Sequence, residues 1–553
     1  MKLHSISLLL FTFLTISLFG QDMAHYEGEW EGIIDNSSAF NLKIEIENLG
    51  LDNSRFKISN NKSIIDYPFD SKNTSIVNIP FASNYSFKGR LSSNGKEING
   101  FIKSGMLMYR LKLNESDNNT YTGHWNILMV DELKSENLYL SVESGAGNDY
   151  QAYPIFGDNR FTGTWCGNFQ KENDLISFSD FKTGLQFRGK LKKDAIRLGI
   201  YLGEKSITQV VLKESTTDWE IGGFDNSNKI SMQPLGELEK LISNDSLSNT
   251  HSVLISKKGE IVYENYFDGY NADIPHDMRS ASKSISSAVV GITEDKSLFE
   301  SVEQSIFDFL PKKYWTYKDS LKSAIDIQSL LTMSSGLDAI DYGINANLKS
   351  TAVEDNYQPS RDWTASILKA EMINKPNTEA NYGSANPYLL GVAMDSVVAE
   401  PLELFMDKHL FQELAISNYI IQTDRNGRPY FGGGMYLTPK DMLKFGELYL
   451  NKGKWNSKRI LPKKWVENSI KNYRNLENVP GKNGYGYLWW HNTYQVNGEN
   501  VNSIEARGAG GQYIFVIPKL EMVVVITSGN YRNGKTQQPE LILEKYILPD
   551  IEK

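Results

Sequence analysis

The feature that most limits how this chain can fold is a change of period near residue 230. From Tyr26 to about Gly223 apolar and polar residues alternate over short runs such as 41–46 (NLKIEI) and 109–113 (YRLKL), broken by Asn, Gly and Ser turns. A two-residue period buries one face of a strand and wets the other. The pattern also repeats. Aromatic-x-Gly-x-Trp occurs at 26–30 (YEGEW), 121–125 (YTGHW) and 161–165 (FTGTW), and a second pair matches 87–91 (FKGRL) with 187–191 (FRGKL). The copies are unevenly spaced, so they read as degenerate versions of one β unit with loops of unequal length. Residues 22–225 are therefore expected to form an all-β domain, a barrel or pair of sheets, closing its own core around inward tryptophans. The competing reading makes those tryptophans a sugar-stacking platform, which would give the region a glycan or cell-wall contact.

Beyond about residue 235 the texture mixes helix and strand. A hairpin is expected at 252–256 and 261–267, helices at 285–294, 365–373, 388–398, 439–451 and 462–472, strands at 513–517 and 522–527, and a last helix at 539–547. Strands at both ends of a helical middle predict an α/β (α+β) domain over 235–553: an antiparallel sheet flanked by helices, with a helical lobe inserted. A chain of 553 residues with 40% hydrophobic content is long enough for these two cores.

Several function classes are disfavoured. Met1 and Lys2, an apolar run at 6–19, then Gly20, Gln21 and Asp22 have the anatomy of a cleaved export signal over 1–20. No later stretch approaches the roughly 20 apolar residues of a transmembrane span. The expectation is an exported protein, periplasmic or extracellular, with no transmembrane anchor. Cys166 is the only cysteine, so an intrachain disulfide is ruled out. The net charge of −9 is spread without long runs, unlike the basic stripe of a nucleic-acid partner. The seven histidines are scattered without zinc-ligand spacing, so neither metal nor cofactor is expected.

The residues at 280–283 (SASK) fit Ser-x-x-Lys, and Ile285, Ala288, Val289 and Ile292 follow at helical spacing. Lys283 then stands one turn from Ser280 on the same face. A hydroxyl becomes a nucleophile when a neighbour takes its proton, and a lysine among dry walls has its pKa lowered toward that task. The same four-residue pattern starts at Ser54, Ser59, Ser93, Ser179 and Ser366, so Ser280 is singled out by its company. The stretches 279–291 (RSASKSISSAVVG), 330–337 (LLTMSSGL), 382–391 (YGSANPYLLG), 433–442 (GGMYLTPKDM), 484–490 (GYGYLWW) and 508–512 (GAGGQ) follow in order. Together they resemble the serine β-lactamase-related hydrolases, a group of class C β-lactamases, D,D-peptidases, esterases and 6-aminohexanoate-dimer hydrolases. The resemblance covers residues 250 to 550.

That resemblance implies an acyl-enzyme mechanism with Ser280 as nucleophile. The Tyr382 phenolate, stabilised by Lys283, takes and returns the proton, and the Ser280 and Gln512 N–H groups form the oxyanion hole. The family's Tyr-x-Asn ends here in Ser384, and its Lys-Thr-Gly or His-x-Gly is replaced by Ala509, Gly510 and Gly511, without a cation. Arg507 and His491 are the candidates to supply that charge, and Trp489, Trp490, Tyr485 and Tyr487 to wall the pocket. An ester or small amide is expected as substrate. The alternatives are an inactive cell-wall peptide sensor or a true β-lactamase.

Overall fold

The computed structural model describes residues 23–551 except 72–74, 83, 118, 146–148, 159, 161–162, 217, 220–229, 232–234 and 482. The expected export segment and most of the expected junction between the two regions lie outside the described residues, as does Phe161 of the third repeat.

Between Gly28 and Glu214 the described chain is all β, in antiparallel sheets. Alternation does what the sequence predicts: in Asn41–Glu47 the apolar Leu42, Ile44 and Ile46 are buried and the intervening residues are not. The second repeat is structural, since Phe87 and Phe187 are both fully buried on strands Tyr85–Leu91 and Gln186–Lys192. Their glycines leave room for a neighbouring strand: a Cβ on Gly89 would lie 2.7 Å from Ile98, and one on Gly189 2.6 Å from Ile176. Among the repeat tryptophans, Trp30 and Trp125 pack inward, but Trp165 is 38% exposed, edge-on against Phe181. The inward expectation is corrected there. Trp165 lies just outside strand Cys166–Glu172, held by its N–H bond to Asp180.

The second region is built on an antiparallel sheet whose order is Glu260–Tyr266, Thr250–Lys257, Met522–Ser528, Gln512–Ile517, Glu499–Gly508, Trp490–Val496. Helix Gly236–Ser243 and the C-terminal helical turns from Gln538 cover one face. Helices Lys283–Asp295, Ala385–Val397 and Pro439–Leu450 pack in the larger core on the other. No helix among the described residues is long and apolar enough to cross a membrane.

Each region builds a core of its own, but the two are joined by a shared sheet and a few exchanged residues that the sequence reading did not anticipate. Strand Leu107–Asp117 pairs with Tyr419–Gln422 through Tyr109 opposite Ile420 and Met108 opposite Ile421. Phe101, Met106 and Met108 join the core of the second region, while Tyr270, Ile274, Ile420 and Tyr436 join that of the first. The first region also presents cations to carboxylates of the second. Lys88 pairs with Glu403 at 3.0 Å, Arg110 with Asp407 at 3.0 Å, Lys182 with Asp277 at 3.4 Å, and Arg90 with Glu400. Periodicity reports which residues are buried but not what buries them, so the shared sheet is invisible in the sequence.

Candidate active site

Ser280 lies in a 3-10 turn, Arg279–Ser282, which leads directly into helix Lys283–Asp295. The turn is strained at its first residue, where Arg279 has φ of 49°, a left-handed value uncommon outside glycine. Asp277 holds it there, accepting the Arg279 N–H at 3.0 Å and the guanidinium Nε at 3.1 Å. Burial pushes the Asp277 carboxyl up, but Arg279 and Lys182 outweigh burial and leave it below its ordinary value. Lys182 comes from the first region, so that region helps to fix the turn that carries Ser280.

Lys283 is buried, and its ammonium has an acceptor for each of its three N–H groups: Ser280 Oγ at 2.8 Å, Ser384 Oγ at 3.2 Å and the Gly432 carbonyl. Burial lowers its pKa, against the pull of Glu354 and Asp341. Tyr382 is buried, with its phenol close enough to the Ser280 hydroxyl for that group to act on its pKa. Its ring lies 5.1 Å from Lys283 Nζ, and Asn478 fixes its main chain by accepting the Tyr382 N–H at 2.7 Å. Burial raises the Tyr382 pKa, the nearby Ser280 hydroxyl lowers it, and Asp341 and Glu354 raise it further, for a net rise. The resting side chain is therefore a neutral phenol.

Ser384 sits at the start of helix Ala385–Val397 and reaches two carboxylates the motifs did not flag. Its Oγ donates to Glu354 Oε2 at 3.0 Å, and its N–H donates to Asp341 Oδ2 at 2.7 Å. Asp341 Oδ1 accepts the Glu354 N–H at 3.0 Å. Burial, then Glu354, pushes the Asp341 carboxyl up to about 6. Asp341 and Glu354 have no motif around them, and Gly432 stands one residue before the stretch at 433–442. The one local signal is that two acids flank a segment leading into helix Glu354–Tyr357.

The hairpin that carries Gly510, Gly511 and Gln512 lies against the Ser280 turn. A Cβ on Gly508 would fall 2.1 Å from the Met278 carbonyl and 3.2 Å from the Ala281 nitrogen. Gly510 and Gly511 have φ of 80° and 88°, and a Cβ on Gly510 would lie 2.3 Å from the Tyr531 ring, so glycine is required there. The Gln512 side chain turns away to the Ser528 carbonyl.

Neither candidate for the missing cation is free. Arg507 donates to Glu505 at 2.7 Å, lies 3.5 Å from Glu540 and stacks 4.9 Å over Trp490. His491 is held to a pKa of about 4 by burial and is neutral at neutral pH. Of the expected pocket aromatics, Trp489 and Tyr487 are taken up by packing: Trp489 against Phe445 and Tyr449, Tyr487 against Tyr473 and Trp465. Trp490 and Tyr485 do reach the site, with ring centroids 5.2 and 6.2 Å from Tyr382. Tyr342, which the sequence did not flag, stands 5.5 Å from Tyr382 and is 46% exposed.

An antiparallel sheet flanked by helices, with a Ser-x-x-Lys turn against the tip of one of its inner hairpins, defines a serine-hydrolase fold of the β-lactamase and transpeptidase type. The chain belongs to the Beta-lactamase family, whose sequence model matches residues 248–545. The 6-aminohexanoate-dimer hydrolase of Paenarthrobacter ureafaciens is 22% identical over 290 residues, 50% of this chain and 71% of that protein. An octameric penicillin-binding-protein homologue from Pyrococcus abyssi is 20% identical with a TM-score of 0.45, covering 58% of this chain and 79% of that one. A family VIII carboxylesterase is 14% identical with a TM-score of 0.43, covering 55% and 94%.

Proposed function

We propose that this protein is an exported serine hydrolase that forms an acyl-enzyme at Ser280 on ester or small amide substrates. The observation that carries this reading is the pairing of amine and hydroxyl: Ser280 Oγ accepts from Lys283 Nζ at 2.8 Å, with the buried Tyr382 phenol beside them. Because burial keeps Tyr382 a phenol, the base for acylation is Lys283 in its neutral form, and Tyr382 is the donor that escorts the proton to the leaving group. Ser280 Oγ attacks the carbonyl carbon, the oxyanion forms against the Ser280 and Gln512 N–H groups, and the leaving group departs with the proton Lys283 received. Water then releases the acyl group by the same route in reverse. The apolar run at 6–19 supports export; the test is the N-terminal sequence of the protein recovered outside the cytoplasm. A glycan contact through the first region rests on Trp165, since Trp30 and Trp125 are buried.

Intact-mass spectrometry with a fluorophosphonate and activated esters tests the mechanism. One covalent adduct on Ser280 is expected, and absence of any adduct would leave the cell-wall peptide sensor as the better reading. Tyr382→Phe is expected to slow acylation by roughly 10², the usual worth of a positioned proton-transfer group; unchanged kinetics would remove Tyr382 from the mechanism.

Charge decides the substrate class. With Ala509 in place of a cation, Arg507 neutralised by two carboxylates and Arg279 held by Asp277, a penicillin carboxylate forfeits a charge-assisted hydrogen bond of about 1.5 to 3 kcal/mol. That is roughly a 10- to 150-fold handicap against a neutral ester. Short-chain p-nitrophenyl esters are expected to turn over with nitrocefin slow or inert, and Ala509→Lys to shift kcat/KM toward nitrocefin. Efficient nitrocefin hydrolysis with negligible esterase activity would mark a β-lactamase.

A further inference from the structure

The Lys283 ammonium poses a problem for the mechanism. With all three N–H groups donated, its resting form is charged, yet acylation needs it neutral. The wall behind it offers a way out. Lys283 Nζ donates to Ser384 Oγ at 3.2 Å, and Ser384 Oγ donates onward to Glu354 Oε2 at 3.0 Å. Both ends of this chain hang on one side chain, because Asp341 accepts the Ser384 N–H at 2.7 Å and the Glu354 N–H at 3.0 Å. The far oxygen, Glu354 Oε1, accepts from Tyr430 at 2.5 Å and from Gln358 at 2.8 Å, so the carboxylate is fixed in orientation.

We propose that Glu354, through the hydroxyl of Ser384, is the proton acceptor that discharges Lys283, with Asp341 positioning both ends of the relay. Lys283 passes one proton to Ser384 Oγ while Ser384 passes its own to Glu354 Oε2. Lysine becomes the neutral amine, glutamate the neutral acid, and the hydroxyl is regenerated. The amine then takes the Ser280 proton, and the relay resets when Glu354 returns its proton after the leaving group departs. A hydroxyl is suited to this task because one oxygen both accepts and donates, whereas an amide accepts on one atom and donates from another. A hydroxyl at 384 is thus what the step from Lys283 to Glu354 requires.

This rests on Ser280 being the acylated nucleophile, and its signature is a pH profile. The ionisable groups around the relay are Lys283, Asp341 and the phenols of Tyr382, Tyr342, Tyr357 and Tyr430, with Arg507 behind Tyr342. In the wild type the proton leaves Lys283 within the site, so acylation does not wait on Lys283 losing a proton to solvent. In Glu354→Gln or Ser384→Asn, Lys283 must release its proton to solvent, so the half-maximal rate moves to higher pH.

The experiment measures the fluorophosphonate labelling rate and the p-nitrophenyl acetate burst from acid to alkaline pH. Both variants are expected to raise the acidic midpoint by at least about one pH unit while keeping the alkaline plateau within about tenfold, and Glu354→Asp to restore the midpoint. An unchanged or lower midpoint overturns the relay, whatever the loss of rate, because a merely structural role depresses the whole profile. Should Glu354→Gln fail to fold, Ser384→Asn carries the same readout. No labelling of the wild type at any pH overturns the nucleophile assignment itself, an outcome distinct from a labelled enzyme whose profile does not move.

Discussion

Ser280→Ala is expected to abolish covalent labelling and to lower esterase turnover by at least about 10⁴-fold, while the protein stays folded. The loss is large because no second hydroxyl stands where Ser280 stands: Ser282 is turned back to donate to the Arg279 carbonyl at 2.7 Å, and Ser284 donates to the Leu488 carbonyl at 2.7 Å. Folding survives because the substitution removes one acceptor from Lys283, a cost of about 1 kcal/mol, and leaves the Ser384 and Gly432 contacts in place. Intact mass and a thermal melt together check this. A covalent adduct persisting in the folded variant would move the nucleophile elsewhere.

Arg110→Ala is expected to destabilise the whole protein by about 3 to 5 kcal/mol rather than the first region alone. Arg110 and Asp407 are 3.0 Å apart with both side chains almost completely buried, so the truncation strands a carboxylate inside the seam. Tyr419 and Gln412 also donate to Asp407, and Arg110 donates to Asn99 at 2.6 Å, so the pair anchors a network across both regions. Replacing both partners by apolar side chains of similar volume is expected to recover most of the loss, because the cost comes from the unpaired charge. By the same reasoning a chain beginning near residue 230 is expected to aggregate, since it exposes the Tyr419–Gln422 strand edge and the apolar surface around Ile420 and Tyr436. Denaturant unfolding of Arg110→Ala and gel filtration of the shortened chain check both. A monomeric, folded and acylable fragment would show that the shared sheet is dispensable.

The sequence by itself determined whatever depends on neighbours along the chain. Alternation placed Leu42, Ile44 and Ile46 inside a strand, and the hairpin expected at 252–256 and 261–267 is found as Thr250–Lys257 and Glu260–Tyr266. The three-residue spacing of Ser280 and Lys283 put amine and hydroxyl on one face of a turn, because helical geometry is local. The helix expected at 365–373 is found only over Trp363–Lys369, because Ala370 leaves helical geometry with ψ of 151°. Adjacent aromatics at 489 and 490 also looked alike in the sequence, yet one is core and the other faces Tyr382, since successive residues point to opposite sides and only packing says which side is the site.

The protonation state of the site was decided by the tertiary structure. Arg507 has a local partner in Glu505, but its second, Glu540, lies 33 residues on, and Lys283 gained its acid partners from residues 58 and 71 positions away. Whether a side chain is ionised depends on the water it loses and the charges that replace that water, and both are set by contacts between segments far apart in sequence. The chemistry of Ser-x-x-Lys was therefore legible in one dimension, while the state of its protons was fixed only when Asp341, Glu354 and Ser384 met in three.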